Sequence, residues 1–290
     1  MRIGELIKES DRPFFSLEFF PPSSEDQMPA FYKAADALGE LAPLFVSVTY
    51  GAGGAKQQNS LAVTGELARR GFTVMSHLTC VGAEPEGIHA YIEQLLERNI
   101  DNVLALRGDP PKDKAWDWSR GAFRNASDLV AFLHRHFPKL GIGVAVYPAP
   151  HPESATFEQD RTNTALKLRA GAQFGISQLF FDVREYEELL GRLKKADINV
   201  PIIPGILPIQ SLDSLKRVLS LCGANIPGNF YLELEAANAQ GGAEAVRETG
   251  LKFAIRQIRR LLEMGAPGIH LYTLNKSGLC KRIIQECGLA

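Results

Sequence analysis

The chain has 290 residues, 45% hydrophobic and 22% charged, with a formal net charge of -1. That balance fits an enzyme-sized globular protein, and with no Lys/Arg cluster interleaved with aromatics it argues against nucleic acid as a partner. No run of about 18 apolar residues and no basic start followed by an apolar segment occurs, so neither a membrane span nor a secretion signal is expected; Cys80, Cys222, Cys280 and Cys287 lack ligand-like spacing and read as reduced thiols of a cytoplasmic protein.

In chain order, the first β-rich run is Phe14 to Phe20, a strongly apolar stretch with one carboxylate, Glu18, in its middle. Buried and ionised without a partner such a group is costly, so it either reaches a polar cavity or holds a proton, or else it faces solvent or pairs with a buried Arg. Ser23, Ser24 and Glu25 offer capping groups for a helix over Pro29 to Leu41. The next run, Leu44 to Tyr50, leads into Gly51-Ala52-Gly53-Gly54, a glycine-rich loop without the spacing of a dinucleotide or P-loop motif. Thr73 to Thr79 follows, and then a helix whose apolar residues Ile88, Tyr91, Ile92, Leu95 and Leu96 form one stripe. After Asn102 to Arg107 comes an irregular stretch containing Trp116 and Trp118, which either cover a cleft or pack under their loop. Ser127 and Asp128 are candidate caps for Leu129 to Phe137, stopped by Pro138. The remaining strands are expected at Ile142 to Tyr147, Gln178 to Val183, Pro201 to Ile206 and Gly268 to Tyr272. A helix near Ser211 to Cys222 and another from Ala243 to Met264 precede the last, and Gly71, Gly141 and Gly265 suit helix stops.

Eight such runs, mostly 25 to 40 residues apart and separated by helix-length segments, call for a parallel sheet covered on both faces. They favour a single (β/α)8 TIM barrel over residues 1–290, with an extra helix or two before the last strand; an open doubly wound sheet is the alternative.

Chemistry on such a barrel gathers at the C-terminal strand ends. Polar residues there are Glu18, Thr49, His77, Arg107 and Asp109 around Gly108, Tyr147, Gln178 and Asp182. Each alone can be structural, but that many buried polar groups are costly without a purpose. Metal-dependent or cofactor-free lyase or hydrolase chemistry has few ligands to draw on beyond His77 and His151, the latter in the proline-stiffened loop Tyr147-Pro148-Ala149-Pro150-His151-Pro152. The set suits a flat, polar organic cofactor carrying phosphates. Asp160, Asn163 and Lys167, at i, i+3 and i+7, make one helix face that either grips such a ligand or is simply solvated.

With these residues assembled, the sequence resembles the methylenetetrahydrofolate reductases of the single-domain bacterial type. The resemblance rests on Ser16-Leu17-Glu18-Phe19-Phe20-Pro21-Pro22, Phe45 to Ala52, His77-Leu78-Thr79-Cys80, Ala105-Leu106-Arg107-Gly108-Asp109, Ala126-Ser127-Asp128-Leu129, Tyr147-Pro148 with His151-Pro152-Glu153, Gln178 with Phe181-Asp182-Val183, Ile202 to Pro208, and His270 to Asn275. It implies non-covalent FAD, NADH or NADPH or another electron carrier as donor, and reduction of 5,10-methylenetetrahydrofolate to 5-methyltetrahydrofolate at a site the two substrates use in turn. By the same resemblance Glu18 is the proton donor and Asp109 lies beside flavin and folate. The implied FAD contacts are Thr49, Tyr50, Ala52, His77, Arg107, Gly108, Asp109, Ala126, Tyr147, His151, Asp160, Asn163 and Lys167. The implied folate contacts are Glu18, Asp109, Gln178 and Lys276, the last standing where many relatives have Arg; Val218 stands where known members have a stacking Phe. A homo-oligomer is the family's habit, while a non-catalytic docking relative is a rival reading that retention of Glu18 and Asp109 opposes.

Overall fold

Short parallel strands of this apolarity need cover on both faces, and they obtain it by closing on one another inside a ring of helices. The computed structural model describes residues 1–50, 54–110, 117 and 121–290. Its strands are β1 (Phe14–Phe19), β2 (Phe45–Val48), β3 (Val74–Thr79), β4 (Asn102–Leu106), β5 (Gly141–Val146), β6 (Phe174–Ser177), β7 (Ile202–Ile203), β8 (Gly205–Ile206) and β9 (Gly268–Tyr272). They pair in parallel in the order β7-β6-β5-β4-β3-β2-β1-β9-β8. The segment carrying β7 and β8 is one crossing split at Pro204, which has no N–H to give a ladder. Ile202 and Ile203 pair with β6, whereas Gly205 and Ile206 pair with β9. Pro204 still accepts a hydrogen bond from His270 N at 2.9 Å. The result is a nearly closed TIM-barrel-like α/β fold.

The helices are α1 (Ile3–Glu9), α2 (Met28–Gly39), α3 (Gly54–Arg69), α4 (Pro85–Leu96), α5 (Ala126–His136), α6 (Phe157–Arg169), α7 (Val183–Lys195), α8 (Leu212–Cys222), α9 (Gly228–Glu263) and α10 (Ser277–Glu286). Helices α8 and α9 are the additional ones before the last strand. Among the described residues, no helix is long and apolar enough to cross a membrane.

The period-2 alternation of strands decides which residues meet the helices and which fill the barrel. Phe15, Leu17, Phe19, Val46 and Val48 join the large core beneath the helices. Phe14, Phe45, Met75, Leu104, Phe174, Ile176 and Ile203 form a separate inner cluster with Ile3 and Ile7 of α1, which plugs the N-terminal end. On β1 the inner column therefore runs Phe14, Ser16, Glu18. The carboxylate that looked misplaced among phenylalanines is an inward residue, separated from Phe14 of the apolar plug by Ser16.

Several expectations need correction. The sixth strand is Phe174–Ser177 rather than Gln178 to Val183: the more apolar Leu179, Phe180 and Phe181 lie beyond the strand and pack under helices, Phe180 stacking on Tyr186 at 5.8 Å. Asp182 is consequently not on the rim; it is the N-cap of α7, accepting from Arg184 N at 3.0 Å. Asn125, rather than Ser127 or Asp128, caps α5, taking both Ser127 N (3.1 Å) and Asp128 N (3.2 Å). Ser23 and Ser24 do not cap α2, which grows from a 3-10 turn over Glu25–Gln27. Leu96 is left exposed at the end of α4. Gly71 and Gly265 have the positive φ of helix stops, but Gly141 opens β5, where a Cβ would strike the Asn102 side chain. The helix expected from Ala243 to Met264 is present, starting directly after the non-helical pair Gly241 and Gly242 (φ 59°), which joins it to an unexpected helical half running from Gly228. The earlier half was missed because the glycine pair breaks the apolar stripe of Phe230, Leu234 and Ala237.

Candidate active site

The expected site residues fall into two groups. Arg107, Gly108, Asp109, Ala126, Tyr147, His151, Asp160, Asn163 and Lys167 line one cleft of about 560 Å³ beyond the C-terminal ends of β4 and β5. The face of α6 bearing Asp160, Asn163 and Lys167 is thus a cleft wall and not a merely solvated surface. Gly108 sits at φ +83°, and a Cβ there would lie 2.8 Å from Val81 Cγ1, so only glycine lets the chain turn here. Asp109, next in sequence, is exposed at the mouth. Ala126 is the first residue of α5, whose N-terminal amides carry a partial positive charge toward the cleft.

The cleft wall from β5 to α6 is held by two buried charged residues. Asp160 Oδ1 accepts from His151 N (3.0 Å) and from Ser154 Oγ (3.3 Å), while Oδ2 accepts from Arg161 Nη1 (3.0 Å). Arg161 also donates to the carbonyls of Tyr147 and Pro148, both at 2.7 Å, and pairs with Glu188 at 2.7 Å. Arg161 was not among the expected residues, because its signal, a basic residue on a helix, is common; only the fold brings it beneath two loop carbonyls. In the loop it fixes, His151 Nδ1 accepts from Glu153 N at 3.1 Å, so the outward nitrogen carries any ring proton. Burial, aided by nearby Arg107, holds His151 below its ordinary pKa.

The cleft's cations are arranged for an anion. Arg107 pairs with Glu153 at 2.6 Å. Lys167 Nζ donates to the Ala145 carbonyl at 2.6 Å and lies 5.5 Å from the Tyr147 ring centroid. Among the described residues no carboxylate comes within 4.0 Å of Nζ. Burial accordingly pulls Lys167 down to about 8, with Asp160 opposing and Arg107 adding to the effect. Burial also pushes the Tyr147 hydroxyl up to about 12, leaving it a donor at any ordinary pH.

The second group surrounds Glu18, which is 7% exposed. Glu18 Oε2 stands 3.5 Å from His77 Nε2 and 3.9 Å from His270 Nε2. His77 Nε2 is buried with no hydrogen-bond partner among the described residues. Burial lowers His77 to about 4, with Glu18 opposing and His270 adding to the effect, so the ring is neutral. Such an orphaned polar atom suits a ligand that brings its own partner.

The other expected residues are held as follows. Thr49 N donates to Phe19 O at 3.0 Å, tying the ends of β1 and β2. Tyr50 sets its ring edge-on to Tyr91 at 5.6 Å, and burial pushes its hydroxyl up to about 12. Gln178 follows β6 and folds its Oε1 onto Leu179 N at 2.9 Å. Lys276 is exposed just before α10, after a turn in which Leu274 (φ 49°) and Asn275 (φ 58°) are left-handed. Val218 is half-buried on α8 against the cluster of Leu215 and Phe230. Ala52, Trp116 and Trp118 lie outside the described residues. Among the described residues no three His, Cys, Asp or Glu converge as a metal site.

Comparison with known proteins fits this arrangement. Residues 2–288 match the family "Methylenetetrahydrofolate reductase". "Methylenetetrahydrofolate reductase 1" of Schizosaccharomyces pombe is 35% identical over 100% of this chain and 49% of its own length. The Escherichia coli "5,10-methylenetetrahydrofolate reductase" is 33% identical over 94% of this chain and 90% of its own. The chain thus spans about half the length of the curated eukaryotic relatives it matches. Among solved structures, a Clostridium thermocellum protein described as binding two copies of 5-methyl-5,6,7,8-tetrahydrofolic acid has a TM-score of 0.69, with 14% identity, over 99% of this chain and 98% of its own, a likeness of fold. The chain belongs to the methylenetetrahydrofolate reductase family.

Proposed function

We propose that the chain reduces 5,10-methylenetetrahydrofolate to 5-methyltetrahydrofolate, using FAD held at the β4–β5 cleft and NADH or NADPH as electron source. The observation that carries this reading is that one barrel holds both a cation-bearing cleft beyond β4 and β5 and a carboxyl buried against two imidazoles on β3 and β9.

When bound, FAD supplies the two-electron chemistry. Arg107, Lys167 and the outward nitrogen of His151 are the groups for its phosphates. Lys167 in particular has its charge disfavoured until an anion arrives. Gly108 lets backbone approach closely, and His77 Nε2 offers an unused polar atom. Thr49, Tyr50, Ala52, Ala126, Asp160 and Asn163 complete the proposed cofactor contacts. Gln178, Asp109 and Lys276 take the folate, Lys276 as a point charge rather than a bidentate fork.

The residue work centres on Glu18. Converting the methylene bridge to a methyl group breaks one carbon–nitrogen bond, and the leaving nitrogen must gain a proton as the carbon gains hydride. Glu18 gives that proton and is left as carboxylate beside His77 and His270. Asp109, exposed at the mouth, orients the pterin and discourages negative charge nearby.

The test is direct. Protein purified with flavin should be yellow, bleach anaerobically with NADH or NADPH, and recover its colour on addition of methylenetetrahydrofolate. A protein that neither retains nor rebinds FAD would overturn the proposal.

A further inference from the structure

Beneath Glu18 lies a polar layer that the proposed chemistry does not use. His270 of β9 is fully buried (0% exposed), and so are Ser16 of β1 and Ser47 of β2. Ser16 and His270 are register partners across the β1–β9 ladder. Ser16 Oγ lies 2.8 Å from His270 Nδ1 and 3.2 Å from Ile269 O. Ser47 Oγ lies 3.4 Å from His270 Nε2. Phe45 stacks on the ring at 5.9 Å from below, and Tyr272 meets it edge-on at 5.6 Å. The imidazole is thus fixed in orientation on every side.

One tautomer satisfies both contacts of Ser16 at once. A carbonyl only accepts, and Ser16 has one hydroxyl proton. That proton goes to Ile269 O, so Ser16 Oγ is the acceptor for a proton carried on His270 Nδ1. In the neutral ring Nε2 then bears a lone pair, which takes the weak donor Ser47 and faces Glu18 Oε2 at 3.9 Å. A lone pair there attracts the proton of a carboxyl and repels a carboxylate. The other groups facing Glu18 do not reverse this: His77 on β3 is neutral, and the Tyr272 hydroxyl on β9 donates to Ser177 O at 2.7 Å.

We propose that His270 is the positioning residue for Glu18: locked by Ser16 as the Nδ1–H tautomer, it turns the Nε2 lone pair toward the carboxyl and keeps Glu18 in its acid form between turnovers. The 3.9 Å separation is about 1 Å beyond hydrogen-bond length. When Glu18 loses its proton the same lone pair disfavours the carboxylate, which hastens reprotonation from the barrel mouth. The inference rests on reading Glu18 as the acid of the proposed reaction.

The test uses 15N-histidine-labelled protein, with the His270 signal assigned by its loss in His270→Gln. Long-range nitrogen–proton spectra of the flavin-free wild type near neutral pH should show a neutral Nδ1–H ring, and Glu18→Gln should move the Nε2 resonance. Ser16→Ala should admit the Nε2–H tautomer. In the flavin-loaded enzyme, Ser16→Ala should lower folate reduction up to about tenfold above neutral pH, as expected for one lost buried hydrogen bond. It should also move the alkaline limb of that step to lower pH while leaving flavin reduction by the nicotinamide unchanged. An Nε2–H or doubly protonated His270 in the wild type overturns the proposal, as does a Ser16→Ala enzyme whose pH profile superimposes on the wild type. If the wild type binds no flavin or reduces no folate, the functional reading fails by itself, and the tautomer spectrum of the flavin-free protein still decides this one.

Discussion

Asn275 and Phe20 hold each other by two hydrogen bonds: Phe20 N donates to Asn275 Oδ1 at 2.9 Å, and Asn275 Nδ2 donates to Phe20 O at 2.7 Å. A side-chain amide thereby continues the β1–β9 ladder past the end of the strands. Two residues earlier, Thr273 Oγ1 donates to Glu18 O at 2.6 Å. The carbonyl of the proposed acid and the residue two positions after it are therefore clamped to a single turn.

That clamp makes Asn275→Ala informative. The substitution removes two hydrogen bonds and places alanine at φ 58°, where asparagine is better tolerated. Together these should cost about 2–3 kcal/mol, measured by urea unfolding. Asn275→Gly relieves the backbone but not the clamp, so it should recover only part of the loss. Full recovery by glycine would mean that the amide clamp contributes nothing.

For the chemistry itself, Glu18→Gln should retain FAD and be reduced by the nicotinamide at the normal rate, yet lose about 10²–10⁴-fold in folate reduction. Stopped-flow separation of the two half-reactions measures this, and normal folate turnover would remove Glu18 from the acid's role. Asp109→Asn should weaken folate use more than flavin retention, since the side chain is exposed at the mouth of the cleft.

The two kinds of residue were unequally legible in the sequence. Glu18 could be found because a strand alternates with period 2, and a charged residue two positions from a seryl inward neighbour breaks an otherwise apolar run. The cleft's α6 face was legible as helical spacing. Its function was not, because Arg161 and Asp160 acquire meaning only when the fold places the carbonyls of Tyr147 and Pro148 beside them. His270 could be assigned to the last strand, but its partners Ser16 and Ser47 are more than 200 residues away, 254 and 223 positions respectively. The sixth strand was misplaced for a related reason. Gly175 is kept small by Ile202, whose Cδ1 would be 2.8 Å from an added Cβ, so the true strand is less apolar than the segment after it.

Lys167 should couple pH, stability and cofactor binding. Its folded value of about 8 lies below the ordinary 10.5, so between those limits the unfolded chain binds more protons than the native protein. Stability from this group therefore rises as pH increases through that window, and below it the penalty of burying the cation is fully present. Lys167→Met should stabilise the flavin-free protein near neutral pH and abolish its share of the alkaline rise, judged by the difference between the two unfolding profiles. It should also weaken FAD binding at least tenfold. In the wild type, FAD binding near pH 8 should take up protons as the phosphates restore the charge, and calorimetry in buffers of different ionisation enthalpy measures that uptake. A variant no more stable than wild type would mean that Lys167 is adequately solvated without a ligand.

His77 sets the acid side. Its folded value of about 4 lies below the ordinary 6.5, so as pH falls through that interval the unfolded chain gains a proton that the native ring refuses. The stability tied to the neutral ring is complete above 6.5 and is lost progressively toward 4. His77→Gln keeps a polar side chain of similar reach but cannot titrate. Its urea midpoint should decline less steeply than that of the wild type across this range, with the two profiles running parallel above it. Because His77 Nε2 is also without a hydrogen-bond partner among the described residues, bound FAD should blunt the acid decline of the wild type and affect the variant less. Parallel profiles throughout, with and without flavin, would show that the histidine titrates freely and that its buried nitrogen serves no ligand.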